Sequence, residues 1–189
     1  MHEHLMENGG EFDLSDADNT DEKISILAQR SAHNIRAGQH EQGIAELKEM
    51  LDLMDQDPKE DRAVIRANTY YKLAMTNQII KNPEIAIDYW RRLYDMRNCI
   101  SSDNLSDDDT VNLKGCIGTA AVEIADYIQN TASKEDPKPY ITEAISLLEG
   151  NCDANNEWIS LFRAYGKLAF CIDGIDPEEA CRFYRKALM

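Results

Sequence analysis

From residue 20 onward the apolar positions recur at three- and four-residue intervals, and nowhere do they alternate over a useful length. Ile117, Ala121, Ile124 and Ile128 show the spacing clearly, as do Gly43, Leu47 and Met50. That period places apolar groups on one face of an α-helix, not of a strand. Eight helices are predicted, at about 20–37, 40–55, 58–81, 83–98, 107–131, 137–149, 155–173 and 177–189. Four of the five prolines follow Asp or Asn, as Asp57-Pro58, Asn82-Pro83, Asp136-Pro137 and Asp176-Pro177. Each pair reads as a helix start. The Asx side chain accepts first-turn N–H groups, and proline at the first helical position gives up no needed donor. Gly38, Gly150 and Gly174 fall where helices should stop, because glycine tolerates the left-handed turn that ends many of them.

Short polar connections force neighbouring helices to run antiparallel, so the expected class is all-α, built from hairpins at about 20–55, 58–98, 107–149 and 155–189. Two hairpins resemble each other. Tyr70-x-Lys72-Leu73-Ala74 is matched by Tyr165-x-Lys167-Leu168-Ala169, and both then reach an Asx-Pro-Glu turn. Beyond it come Ala86, Trp90 and Leu93 in one, and Ala180, Tyr184 and Ala187 in the other. Internal similarity of this kind marks a repeat array.

These residues resemble tetratricopeptide repeats, in which the first helix carries a large residue, Leu-small, then another large residue. The second helix carries a small residue, an aromatic four later, and a small or apolar residue three after that. Gly43 and Ala144 take the small position in the two weaker units. The resemblance covers about residues 20–189 and implies a short right-handed solenoid whose first helices line a concave face. On that face it places Asn68, Tyr71, Met75 and Gln78, with Arg163, Gly166, Lys167 and Phe170 as counterparts in the last unit. Lys72, Arg163 and Lys167 would steer an acidic or C-terminal segment toward apolar anchors at Tyr71 and Phe170. Some members clamp the C-terminal carboxylate of a heat-shock chaperone. Arg163 with Lys167, and Arg30 with Asn34, have the spacing of two such pairs, with Lys72 standing where an asparagine is expected.

Charge sharpens the picture. The net charge is −15, which repels phosphate and argues against nucleic acid as a partner. Eight acidic residues and one lysine fall within residues 1–23, so residues 1–19 read as a flexible acidic arm. That arm is also a candidate to lie in the groove and mask it. No run is long and apolar enough for a membrane span, and the first residues lack the pattern of a signal peptide. Five cysteines without a C-x-x-C pair read as reduced, buried thiols in a cytoplasmic protein.

Candidate chemistry adds little. His2, His4, Glu3 and Glu7 are potential metal ligands without a preorganised frame. Residues 101–110, SSDNLSDDDT, lack the glycine and distal glutamate of a calcium loop and read as an acid-rich helix start. No nucleophile arrangement, phosphate loop or convergent acid–base group accompanies His33 and His40. The expectation is a non-catalytic interaction module with no cofactor and no metal, binding a peptide or protein segment. The alternative is a self-associating assembly protein or small dedicated chaperone. It follows from the last helix, FYRKALM, which lacks the polar cap that solenoids usually need and so calls for a covering subunit, a partner or further residues beyond those given.

Overall fold

In a computed structural model of the chain, residues 14, 19–59, 62–101, 105–149 and 157–188 are described. The proposed acidic arm, with His2 and His4, lies outside the described residues except for Leu14 and Asn19. Among the described residues there is no strand, and eight α-helices follow in order: α1 (Thr20–Arg36), α2 (His40–Gln56), α3 (Ala63–Ile79), α4 (Pro83–Asp95), α5 (Asp107–Asn130), α6 (Lys138–Leu148), α7 (Glu157–Ile172) and α8 (Pro177–Lys186). A 3₁₀ segment, Met96–Ser101, continues from α4.

The helix starts follow the expected logic only in part. Asp176 caps α8 by accepting the Glu179 N–H at 3.0 Å. Ser106 caps α5 through the Asp109 N–H at 3.1 Å, with Asp107, Asp108 and Asp109 in the favourable first turn. Asn82 precedes Pro83 as expected but makes no side-chain cap bond. At Asp136 the carboxylate accepts from the Lys138 N–H at 3.0 Å, while Pro137 itself takes the cap position. Asp57-Pro58 starts no helix: α3 begins at Ala63, five residues beyond the proline. Gly38 does close α1 in the left-handed region, at φ 79°. The equivalent turn after α3 uses Lys81, at φ 61°, where no glycine signalled it.

Two compact units divide between Lys59 and Glu60. The first holds the α1–α2 hairpin. Ile24 and Leu27 on α1 and Leu47, Met50 and Met54 on α2 are buried. Gly43 lets the two helices approach closely, since a Cβ there would sit 2.6 Å from Ile35 Cγ1. At the polar edge, Glu46 is 4% exposed and accepts from Arg30 Nε at 3.1 Å and Asn34 Nδ2 at 2.8 Å.

The second unit stacks three hairpins, α3–α4, α5–α6 and α7–α8. Each helix packs on its sequence neighbours, and the first helices also meet one another, α3 on α5 and α5 on α7. This is the packing of a helical-hairpin solenoid. The small positions expected on the second helices are buried in every hairpin: Gly43, Ala86, Ala144 and Ala180. The middle helix α5 touches α3, α4, α6 and α7 and is buried around most of its circumference. Its Gly118 faces Leu148 on α6 so closely that a Cβ would lie 2.7 Å from Leu148 Cγ. A core of Val122, Ala125, Ile141, Leu148, Ala164 and Leu168 ties the last two hairpins together.

Candidate functional site: the groove across α3, α5 and α7

A helix buried around most of its surface leaves one narrow stripe for other work. On α5 the stripe is Asn112, Cys116, Thr119 and Glu123, spaced four, three and four residues apart. With α3 on one side and α7 on the other, it forms the floor of an open groove of about 700 Å³. Asn68, Tyr71, Lys72 and Met75 make the α3 wall, and Ile159, Ser160 and Arg163 the α7 wall. Gly115 adds a floor position without a side chain. The volume falls within the range of binding sites for small ligands and short segments.

The two ends of the groove differ chemically. At one end the Cys116 thiol lies between two amides, 3.6 Å from Asn68 Oδ1 and 3.5 Å from Asn112 Oδ1. Each amide presents both donors and an acceptor, so the pair can read a peptide main chain. In the middle, Thr119 Oγ1 donates to Ser160 Oγ at 3.1 Å, holding α5 to α7 through small side chains. At the other end lies an ionic cluster. Arg163 bonds the carboxylates of Glu123 and Asp126, and Lys167 bonds Asp126 and, at 3.1 Å, Gln129 Oε1. Gln78 Nε2 reaches Glu123 at 2.8 Å from the α3 side. Burial, followed by the neighbouring Arg163 charge, pushes the Lys167 ammonium below the ordinary lysine value.

The predicted residues fall into three groups. Asn68, Tyr71, Lys72, Met75 and Arg163 line the groove. Gln78 and Lys167 stand at its ionic end, through Glu123 and Asp126. Phe170 is 72% exposed and outside the lining, so it is not an anchor of this groove. Tyr71 is held in place by an edge-on contact with Trp90, rings 5.3 Å apart at 83°. The expectation that Arg163 and Lys167 are open to an acidic segment changes, because α5 supplies a carboxylate to each. The carboxylate-clamp pairs change likewise, since Arg30 and Asn34 converge on the buried Glu46.

The sequence reading missed the floor: Asn112, Gly115, Cys116, Thr119 and Glu123, with Ile159 and Ser160 opposite. The signal was available as the polar complement of Ile117, Ala121, Ile124 and Ile128 on the same helix. The thiols also differ from expectation. Cys116 and Cys171 are half-buried and Cys181 is exposed, none of them in a disulfide. Among the described residues no group of three or more His, Cys, Asp or Glu is placed to hold a metal ion. No helix among them is long and apolar enough to cross a membrane. No protein-family model matches the chain, and no curated protein matches it.

Proposed function

We propose that the chain is a non-catalytic interaction module of tetratricopeptide-like build, acting in the cytoplasm, whose α3–α5–α7 groove holds an extended segment of another protein. One observation carries the reading. Three helices from three successive hairpins bring Asn68, Asn112 and Ser160 beside Tyr71, Met75 and Ile159 around one open groove. Amides and hydroxyls satisfy a main chain while apolar side chains bury its side chains, the combination that peptide recognition needs. The test is quantitative affinity capture with the full chain and with Asn68→Ala/Asn112→Ala. Partners recovered by the wild-type chain should fall at least tenfold with the variant, at unchanged circular dichroism. Partners captured equally by both would overturn the reading.

A second reading is self-association through α7–α8. It is motivated by Phe162, Phe170, Ile175, Tyr184 and Leu188, all exposed on that hairpin. Apolar residues gathered in this way mark association surfaces. Light scattering that finds only monomer at high concentration would remove it.

A further inference from the structure

The groove has a floor of small residues and an ion-paired end, and the two together bear on what it accepts. This inference rests on the groove reading above. Much of the floor is made of small residues, Gly115, Cys116 and Thr119, and the walls carry the longer apolar side chains of Met75 and Ile159. A space bounded in this way is filled by one bulky side chain from outside, and its apolar walls favour an apolar one. The ionic end works against charge of either sign. An incoming carboxylate competes with Glu123 and Asp126 for Arg163, and the Glu123 side chain is only 12% exposed. Displacing Glu123 leaves it only the neutral Gln78 amide, and the loss of its cation is costly for a carboxylate so little exposed. An incoming ammonium or guanidinium faces the same exchange against Arg163 and Lys167. Lys72 is the other charged residue of the lining, on the α3 wall.

We propose that the groove selects an extended, uncharged segment of a partner protein carrying one bulky apolar residue, which seats on the small residues of the α5 floor between the α3 and α7 walls. The α5 carboxylates act as built-in competitors. Glu123 and Asp126 keep Arg163 and Lys167 from capturing acidic tails.

A displayed library of random peptides of about twelve residues, selected on the full chain, tests this. Selected peptides should share a Leu, Ile, Met or Phe at one position and be poor in Asp and Glu. Gly115→Leu should weaken them at least tenfold. Labelling Cys116 with N-ethylmaleimide in the already folded chain should do the same, with Cys116→Ser as the unlabelled control, so a folding defect of the leucine variant does not decide the result. Glu123→Gln/Asp126→Asn should raise the recovery of acidic peptides at least tenfold.

Acid-rich peptides selected by the wild-type chain and lost on Cys116 labelling would overturn the selectivity and leave the groove standing. An unchanged acidic yield from the double variant would also overturn it. Peptides indifferent both to Cys116 labelling and to Asn68→Ala/Asn112→Ala would overturn the groove itself, as would a library that yields no binder.

Discussion

The hairpins α3–α4 and α7–α8 carry nearly the same sequence signature but do not have the same environment. Leu73 and Leu168, Ala74 and Ala169, and Ala86 and Ala180 are buried in both. The aromatic that follows diverges: Trp90 is 1% exposed and Tyr184 is 38% exposed. The difference lies in the neighbours. Helix α4 is packed between α3 and α5, whereas α8 packs chiefly on α7. The short motif therefore specifies a hairpin, and the next helix decides how much of its aromatic is removed from water.

The largest test of this contrast is truncation of the two aromatics. Trp90→Ala should cost about 3–5 kcal/mol, as large core deletions do. Tyr184→Ala should cost less than about 1.5 kcal/mol, because so much of the ring is already solvated. Urea denaturation of both variants measures the gap, and equal losses would show that α8 is covered as α4 is.

A smaller effect separates two helical glycines. Gly118→Ala drives a Cβ into Leu148 and should cost about 1–3 kcal/mol by overpacking. At Gly166 an added Cβ meets nothing within 4 Å, so Gly166→Ala should gain about 0.5–1 kcal/mol from helix propensity alone. Thermal melts that reverse this order would break the assignment of α7's outer face as open.

The turns offer a third contrast. Lys81 occupies the left-handed region at φ 61° between α3 and α4, a conformation that costs an L-residue about 1 kcal/mol or more. Lys81→Gly should therefore stabilise by up to about 1 kcal/mol. In the α7–α8 turn Gly174 has ordinary backbone and open space around it, and Gly174→Ala should be neutral or slightly stabilising.

The smallest effect is on acid stability. The Tyr165 hydroxyl, and then Lys186, hold Glu149 below the usual carboxylate range beside α7–α8. Arg91 does the same for Glu135 on the α4 side, through bonds of 2.5 and 3.2 Å. A carboxylate depressed in the folded state favours folding above its unfolded pKa. That contribution fades as pH falls through the folded value. Stability should thus decline below about pH 4.5, and Glu149→Gln and Glu135→Gln should each flatten that decline slightly, since the pairs are exposed and screened by salt. A titration of melting temperature with unaltered slope in both variants would assign the acid limb to other carboxylates.

Parts of the site were readable along the chain because a helix stripe is a local property. Asn68, Tyr71 and Met75 share a face by spacing alone, and the structure puts them on the groove wall. Phe170 had the same warrant but lies outside the lining, because a stripe gives a direction on its own helix and no information about what stands across from it. Arg163 and Lys167 looked available for a ligand until α5 placed Glu123 and Asp126 within reach, about 40 residues earlier in the chain. Arg30 and Asn34 illustrate the same limit at shorter range, since Glu46 sits on the facing helix of their own hairpin.

The sequence by itself determined the all-helical class, the eight helices to within a few residues at most of their ends, and the small buried residues that let helix pairs close. These follow from periodicity, capping and side-chain volume, all of which act within a helix or one hairpin. The start of α3 and the left-handed turn at Lys81 escaped it because local preferences there are weak and packing overrides them. Only the tertiary structure decided which stripe of α5 becomes a floor, which aromatic is sealed, and which charges answer one another. Those outcomes depend on side chains brought together from distant helices, where burial and electrostatics act between elements and no local pattern encodes the partner.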